Sequence, residues 1–263
     1  MLKGRIFGKE HDMINVILHG CSGHMGAVVT DMVAADKDVR ITAGIDVVDL
    51  GNRDYPVYTD AGRCNEEADC IIDFSNAKAI DGLLDYAVSR SLPVVLCTTG
   101  LSEEQLHKVK EASGKIAILR SANMSLGVNL LLKLLKEAAA TLAPAGYDME
   151  VEEMHHRRKV DAPSGTAIAL AEALNEGAGE GYHFTYDRSG RRQPRDNKEI
   201  GISALRGGTV VGIHDVLFAG QDEVIEFKHT AYSRAIFAKG AVQAAKFMAG
   251  REAGMYDMAD VIG

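Results

Sequence analysis

The stretch Ile14-Asn-Val-Ile-Leu-His-Gly-Cys-Ser-Gly-His-Met-Gly26 joins a short apolar run to three glycines in the pattern Gly-x-x-Gly-x-x-Gly. An apolar run followed at once by glycines predicts a buried strand that turns sharply into a helix. Glycine at such a turn lets a pyrophosphate approach the free backbone N–H groups at the start of the helix. The spacing is one residue longer than the commonest dinucleotide-binding fingerprint, so a tight turn without a ligand is the alternative.

A carboxylate ends the next predicted strand, where dinucleotide-binding folds hold the adenosine ribose. Asp46 in that position would accept hydrogen bonds from the ribose and would repel a 2′-phosphate. The following residues are Val47 and Val48 and not arginine, so we expect NADH to be preferred to NADPH. Lys37 or Arg53 folding back over the ribose would weaken that preference. A solvated acid at a strand end is the simpler alternative for Asp46.

Short apolar runs alternate with amphipathic stretches from residue 14 to about residue 124. Strands separated by helices imply right-handed crossovers and a parallel sheet that is covered on both faces. We therefore predict a doubly wound, Rossmann-like α/β domain. Its predicted strands are 14–19, 41–47, 70–74, 94–98 and 116–120, with helices at 25–35 and 77–89 and a third helix after a Ser102–Gln105 capping box.

The pattern changes after residue 125, where strand-like runs gather with few helices between them. We predict a separate α+β domain with an open mixed sheet. Its predicted strands are 147–154, 200–205, 209–218 and 224–231, and its predicted helices are 126–142, 166–174 and 233–248. We also expect a tight turn at Gly207-Gly208 between two successive strands, and a long loop over 177–198.

Two further polar segments close predicted strands of the first half. Cys97-Thr98-Thr99-Gly100 closes the fourth strand, and Ser121-Ala122-Asn123-Met124 closes the fifth. Ligands of open α/β sheets bind at the carboxyl ends of the strands. We therefore expect both segments beside the nicotinamide half of a bound cofactor. Ordinary loop capping is the alternative for the two threonines.

The most informative stretch runs from Glu150 to Thr166 and contains His155-His-Arg-Arg-Lys159, a basic cluster in a chain of net charge −8. A solvated basic turn is the usual explanation for such a run. Here the cluster lies between a predicted strand and a helix, and its two histidines titrate near neutrality. Pro163-Ser-Gly-Thr166 then opens the helix with free N–H groups, which form a second anion site.

We interpret the cluster as a site for a small substrate with two carboxylates. One carboxylate would lie on the Gly165 and Thr166 amides and the Thr166 hydroxyl, and the other would meet His156 or nearby cations. His155 and Lys159 would remain to move protons during a reduction. Zinc is the competing occupant, but adjacent histidines on a regular strand face opposite sides, so we expect no metal.

Composition limits the class of protein. Acidic residues outnumber basic ones by 37 to 29, which argues against nucleic-acid and anionic-membrane partners. No apolar run approaches the roughly 20 residues that span a bilayer. The four cysteines lack metal-ligand spacing and are too few for a disulfide scaffold, so we expect the cytoplasm. Residues 1–12 are polar, without a signal-peptide core, and we treat them as a leader or vector remnant.

From Met13 onward the chain resembles the 4-hydroxy-tetrahydrodipicolinate reductase family, also called dihydrodipicolinate reductase. The glycine turn, Thr98-Thr-Gly100 and Ala122-Asn123 carry part of the resemblance. Its most specific carrier is Glu153-Met-His-His-Arg-Arg-Lys-Val-Asp-Ala-Pro-Ser-Gly-Thr166, and the ending Gly254–Ile262 is similar too. The resemblance implies that hydride passes from NAD(P)H to a cyclic dicarboxylic imine in lysine and diaminopimelate synthesis.

Carried over by position, the resemblance implies His155 as proton donor and acceptor and Lys159 as proton donor. It implies that His156, Gly165 and Thr166 bind substrate. It also implies a homotetramer built through the sheets of the second domain, and domains at 13–125 with 233–263 and at 126–232. The cofactor would be lined by Gly20, Cys21, Ser22, Gly23, His24, Met25, Asp46, Cys97, Thr98, Thr99, Ser121, Ala122, Asn123 and Met124.

The chain departs from the family pattern at two positions. Many members have arginine where Val47 follows Asp46, and a common glycine is replaced by Cys97. Three rivals remain: a reductase of another dicarboxylic imine or of an amino-aldehyde, a non-catalytic dinucleotide-sensing module, and an oligomerisation protein. A sensing module needs no proton donors, so His155 and Lys159 together favour the reductase.

Overall fold

The computed structural model describes residues 13–121 and 123–263, which divide into two compact units. The first unit comprises the described residues up to Arg120 and Ala241–Tyr256, and the second comprises those of Ser121–Gly240 and Asp257–Gly263. The predicted limits of the functional domains stay a prediction, and the expectation for residues 1–12 lies outside the described residues. None of the helices described is long and apolar enough to cross a membrane.

The elements follow one another in an alternating order through the first half of the chain. In chain order they are β1 (Ile14–His19), α1 (His24–Ala34), β2 (Val39–Ile45), β3 (Val57–Tyr58), β4 (Cys70–Asp73), α2 (Ile80–Arg90), β5 (Val94–Leu96), α3 (Glu103–Ser113), β6 (Ala117–Arg120), α4 (Leu126–Leu142), β7 (Asp148–His155), α5 (Gly165–Gly177), β8 (His183–Thr185), β9 (Glu199–Arg206), β10 (Gly212–Ala219), β11 (Val224–Ala231), α6 (Ala235–Met248), β12 (Gly254–Tyr256) and α7 (Met258–Ile262).

The described residues of the first unit form a seven-stranded sheet in the order β12-β6-β5-β4-β1-β2-β3, and every pair in it is parallel. Runs such as Val16–Leu18 and Cys70–Ile72 are fully buried, as central parallel strands require. The predicted doubly wound class is confirmed. The capping box is confirmed too: Ser102 Oγ accepts from the Gln105 N–H, and Gln105 Oε1 accepts from the Ser102 N–H, both at 3.2 Å.

β1 lies at the topological switch point of the sheet, where strands are added first on one side and then on the other. β2 pairs with one edge of β1, and β4, which comes later in the chain, pairs with the other edge. Open α/β sheets bind ligands in the crevice outside the carboxyl ends of two such strands. His19 ends β1 and Asp73 ends β4, so the glycine turn begins at this crevice.

The described residues of the second unit form a five-stranded mixed sheet in the order β11-β10-β7-β9-β8. β7 runs parallel to β9 and antiparallel to β10. The apolar sides of α4 and α5 share a core with one face of this sheet, through residues such as Leu135, Leu170, Met149 and Phe218. The predicted open mixed sheet is therefore confirmed.

One local expectation for the second unit is confirmed in part, and another is wrong. A turn does form near Gly207-Gly208, but it does not join neighbouring strands, because β7 lies between β9 and β10. The Gly207 N–H donates instead to the His155 carbonyl at 2.9 Å. The predicted loop over 177–198 contains β8, which pairs with β9, and Arg195 fastens the loop to Glu150 on β7 through Nε at 3.0 Å.

Close packing at the glycine turn makes Gly26→Ala destabilising, since a Cβ on Gly26 would lie 2.3 Å from the Gly20 carbonyl oxygen. We expect a loss of about 1–3 kcal/mol in the free energy of unfolding, typical of overpacking. Gly23→Ala is the matched control, because its Cβ would lie 3.4 Å from the same oxygen, an ordinary contact. We expect that control to lose less than about 1 kcal/mol. Urea unfolding of both variants measures the difference, and equal losses would contradict the packing argument.

Candidate active site

The glycine turn gives α1 an exposed and uncapped beginning. Gly20 has a φ of +82°, and a Cβ there would lie 2.6 Å from the Phe74 carbonyl oxygen, so the position requires glycine. Gly23 precedes the first residues of α1, His24 and Met25, and no side chain among the described residues caps the helix. Free N–H groups at a helix start attract an anion such as a pyrophosphate.

Asp46 lies directly after β2 and faces this turn. Its Oδ2 accepts from the Ser22 N–H at 2.8 Å, and its Oδ1 accepts from the Val47 N–H at 2.7 Å. These bonds fix the carboxylate and leave it lone pairs for ribose hydroxyls. A cavity of about 290 Å³ lies here, and its lining includes Gly20, Ser22, Gly23, Asp46, Val47 and Val48. The residues present therefore fit the phosphate and ribose of a dinucleotide.

Of the two cations considered for the ribose, Arg53 lies against the turn. Its Nη2 donates to the Cys21 carbonyl at 2.6 Å, whereas Lys37 is exposed. Burial raises the pKa of the Cys21 thiol, and the nearby charge of Asp46 adds to that increase, so Cys21 is uncharged at neutral pH.

A buried pair at the crevice was not expected from the sequence. His19 Nδ1 lies 2.7 Å from Asp73 Oδ1, and Asp73 is fully buried. The same oxygen accepts from the Ser75 N–H at 3.2 Å, and His19 lines the cavity beside Asp46. The signal available in the sequence was a titratable residue at the carboxyl end of each of two mainly apolar strands, β1 and β4.

Cys97, Thr98 and Thr99 follow β5 at the same edge of the sheet. The Cys97 N–H donates to the Asp73 carbonyl at 3.0 Å, which continues the parallel pairing past the strand ends. Burial raises the pKa of the Cys97 thiol well above its ordinary value. Thr98 is buried with its Oγ1 3.5 Å from the Ser75 hydroxyl, and Thr99 is exposed.

The segment 121–124 has its described contacts within the second unit. Asn123 Nδ2 donates to Thr166 Oγ1 at 3.0 Å, and Asn123 Oδ1 accepts from the Ser125 N–H at 2.8 Å. The Ser121 hydroxyl is 3.5 Å from Asn129 Oδ1, and Met124 is buried. Ala122 lies outside the described residues. One predicted cofactor residue, Asn123, is thus bonded to a predicted substrate residue.

The basic cluster forms a turn directly after β7. The Lys159 N–H donates to the His156 carbonyl at 3.0 Å, and Lys159 Nζ lies 2.9 Å from Asp161 Oδ1, a partner that the sequence did not indicate. Partial burial lowers the pKa of His156, and the charges of Arg158 and Arg234 lower it further. His156 is therefore uncharged at neutral pH, and its ring can offer hydrogen bonds rather than a positive charge.

α5 begins at Gly165, inside the segment Pro163–Thr166 that was predicted to open a helix, and its cap was not predicted. Ser164 caps the helix, with its Oγ accepting from the Ala167 N–H at 3.2 Å. Gly165 is open: apart from its chain neighbours and the backbone of its own helix, no described atom lies within 4 Å of the place where its Cβ would be. The Glu153 carboxylate on β7 joins that strand to the helix start. It accepts hydrogen bonds from His155 Nδ1 at 2.6 Å and from the Ser164 N–H at 2.9 Å.

The second unit therefore brings together a basic turn, the imidazole of His155 and a helix start that is open to an anion. Such an arrangement can hold a dicarboxylate and exchange protons with it. Across residues 13–121 and 123–263, no group of three or more His, Cys, Asp or Glu side chains is arranged to hold a metal ion.

Comparison with known proteins places both units in one family. The model "Dihydrodipicolinate reductase, N-terminus" matches residues 14–124, and "Dihydrodipicolinate reductase, C-terminus" matches residues 127–262. The chain is 49% identical to the 4-hydroxy-tetrahydrodipicolinate reductase of Caldanaerobacter subterraneus subsp. tengcongensis and 46% identical to that of Clostridium novyi. Each alignment covers 95% of this chain and 98% of the relative.

A solved structure shares the fold. The dipicolinate-bound dihydrodipicolinate reductase from Paenisporosarcina sp. TG-14 superposes with a TM-score of 0.79 at 22% identity, over 95% of this chain and 100% of that one. The two family models together span nearly all of the described residues, and the relatives exceed 45% identity. The chain belongs to the dihydrodipicolinate reductase family.

Proposed function

We propose that this protein reduces 4-hydroxy-tetrahydrodipicolinate to tetrahydrodipicolinate with NAD(P)H, in lysine and diaminopimelate biosynthesis. Hydride and one proton enter the substrate, and one water leaves. The names of the relatives support this activity. The observation that carries it is the joining of His155, at the head of the basic turn, to the amino end of α5 through Glu153.

We assign the substrate to the second unit. Its two carboxylates are held by the Gly165 and Thr166 N–H groups, the Thr166 hydroxyl and His156. The solved family member contains dipicolinate, which is a dicarboxylate, and this supports the assignment. The bond from Asn123 to Thr166 Oγ1 orients the threonine hydroxyl at the start of the helix.

We assign proton transfer to His155 and Lys159. A bound nicotinamide supplies the hydride, and the protein supplies the proton. The Lys159 ammonium donates a proton as negative charge develops on the substrate. Until then, the ion pair with Asp161 holds the ammonium in place. His155 exchanges a proton through the ring nitrogen that does not face Glu153.

We assign the cofactor to residues 20–25 and Asp46 of the first unit, with Cys97–Thr99 and 121–124 as the resemblance implies. NADH is favoured because Asp46 has a fixed carboxylate, and NADPH serves as a second coenzyme. The four cysteines, all in the described part of the chain, are free, which supports the cytoplasm as the compartment.

We propose a homotetramer that is built through the five-stranded sheet. α4 and α5 cover one face of that sheet, and alternate residues point the other way. This outer face includes Met154, Leu205, Ile213 and Leu217, and Leu205 is 43% exposed. Met154 pairs with both Leu205 and Ile213, so these three form an apolar patch on a face that also has Glu152 and Asp215. We propose that this patch packs against a second copy of the same sheet.

The activity is tested by NADH oxidation with substrate made in place from pyruvate and aspartate semialdehyde by the synthase. We expect rapid oxidation by the wild type.

We expect Lys159→Ala to lower turnover by about 10²–10⁴-fold with little change in cofactor affinity, because it removes a proton donor. Lys110→Ala, which removes an exposed lysine on α3 away from both assigned sites, is the control and should keep most activity. A weaker NADH affinity at unchanged turnover would refute the role of Lys159, and no oxidation by the wild type would favour a dinucleotide-sensing module.

Coenzyme choice is tested by Asp46→Asn in the same assay. Losing a hydrogen bond from the ribose to a charged group should raise the KM for NADH by about tenfold, and less repulsion should lower the KM for NADPH. Asp49→Asn, on the same exposed loop, makes the same change of charge and should leave both values unaltered. Equal increases for the two coenzymes would contradict the ribose assignment.

Assembly is tested by light scattering after size exclusion. We expect the wild type at about four times the 28.3 kDa chain mass. Leu205→Glu should yield smaller, folded species, because it places a charge on the outer face of the sheet. Leu50→Glu, an exposed leucine of the first unit, should leave the mass unchanged. A monomeric wild type would rule out this assembly.

A further inference from the structure

We propose that Glu153 is a positioning residue, which fixes the tautomer and orientation of the His155 imidazole while Arg206 and the Ser164 N–H hold Glu153 itself. The proposal rests on the proposed function, in which His155 exchanges a proton with the substrate. It adds two residues, Glu153 and Arg206, to which neither the motif nor the relatives' names give a role.

Glu153 is fully buried, yet both of its carboxylate oxygens are paired. Oε2 accepts from His155 Nδ1 at 2.6 Å and from Arg206 Nη1 at 2.8 Å. Oε1 accepts from the Ser164 N–H at 2.9 Å and from Arg206 Nη2 at 2.8 Å. Arg206 is held in turn by the Asp161 carbonyl at 2.6 Å. Four donors therefore fix one carboxylate between β7, β9 and the start of α5.

The charge of Glu153 decides which nitrogen of His155 carries a proton. Burial raises the pKa of Glu153, but its hydrogen bonds with Arg206, His155 and the Ser164 N–H outweigh burial and lower it. An ionised carboxylate only accepts hydrogen bonds, so His155 Nδ1 must donate. Neutral His155 is thereby held in the Nδ1–H tautomer, and Nε2 is left with the lone pair that takes up and returns a proton.

The surroundings also restrict how the imidazole can turn. A Cβ on Gly212 would lie 3.0 Å from His155 Nε2, so the ring packs closely on the β10 backbone. The His214 ring meets it edge to face, with centroids 5.1 Å apart. Burial and the neighbouring His155 lower the pKa of His214 to about 4, and burial lowers the pKa of His229, so both are neutral.

The titratable groups beside His155 come from several elements. Glu153 on β7 bonds to its ring, His156 follows it in the basic turn, and His214 on β10 packs against the ring. Arg206 on β9 acts on His155 only through Glu153. Glu153 is the one among them that contacts the ring through a hydrogen bond between side chains in the described residues.

Glu153→Gln makes the proposal testable because the amide has one acceptor and one donor end. The Ser164 N–H cannot give up its proton, so the amide oxygen takes the Oε1 position. The amide NH₂ then faces His155 Nδ1, which must become an acceptor, and Arg206 Nη1 loses its acceptor. The opposite orientation would cost more, because both the Ser164 N–H and Arg206 Nη2 would then lack an acceptor. We expect the imidazole to change to the Nε2–H tautomer, which cannot take up a proton at Nε2.

The first measurement is ¹⁵N NMR of histidine-labelled protein without substrate, with His155 assigned by substitution. We expect the Nδ1–H tautomer in the wild type and the Nε2–H tautomer in Glu153→Gln. Glu152→Gln, the exposed neighbour on β7, makes the same change of charge and should keep the wild-type tautomer. A folded Glu153→Gln variant that keeps the Nδ1–H tautomer would overturn the proposal.

The second measurement is turnover. We expect kcat of Glu153→Gln to fall by about 10²-fold or more, with KM within about threefold, because the proton-exchanging nitrogen is lost while binding groups remain. Glu153→Asp keeps the charge and should recover part of that loss. If Glu153→Gln does not fold, Glu153→Asp decides: the withdrawn carboxylate should still lower kcat by about fivefold or more, and wild-type turnover would overturn the proposal.

The two measurements separate this proposal from the proposed function. A change of tautomer in a protein whose wild type oxidises no NADH would refute the reductase and leave the Glu153–His155 pairing intact. If the wild type turns over normally and Glu153→Gln alters neither the tautomer nor kcat, the proposed function stands and the role of Glu153 is refuted.

Discussion

The carboxylate of Glu153 organises the second unit around itself. It accepts hydrogen bonds from the Arg206 guanidinium on β9, from the His155 imidazole on its own strand and from the Ser164 N–H at the start of α5. A buried charge is tolerated only when it is paired and its lone pairs are satisfied, and here four donors do this. The position of the basic turn follows, because that turn is the chain between His155 and Ser164.

The first unit uses backbone rather than buried charge to prepare its site. Gly20 lets the turn approach the Phe74 backbone after β4, and Gly26 lets α1 pack against the turn. The N–H groups at the start of α1 have no side-chain cap. Asp46 is then fixed by two backbone N–H groups. An anion-binding helix start thus lies beside a fixed acceptor of hydrogen bonds, which suits a molecule that carries both phosphate and ribose hydroxyls.

Local signals explain which parts of the fold could be predicted. The glycine turn, the Ser102 capping box and the helix start near Thr166 depend on residues close in sequence, and all three formed as expected. β8 and β12 have three residues each, too few to show a period. The turn at Gly207-Gly208 resembles a hairpin because nothing local indicates that β7 lies between the flanking strands.

The site was predicted in part for the same reason. The cluster from His155 to Thr166 is continuous in sequence, so its residues could be named together. Arg206 lies 53 residues from Glu153, and Asp73 lies 54 residues from His19, and no spacing rule links either pair. Both pairs depend on the register of parallel strands, which only the assembled sheet sets.

The parallel pairing of β7 with β9 also bears on how the chain folds. His155 stands opposite Arg206 in that register, and the chain between them, which includes α5 and β8, is the loop that closes when the two strands pair. Contacts between residues so far apart in sequence form slowly, because a long loop must close first. The carboxylate of Glu153 therefore gains its arginine only when β9 docks, and until then a buried charge would lack the guanidinium that pairs with both of its oxygens.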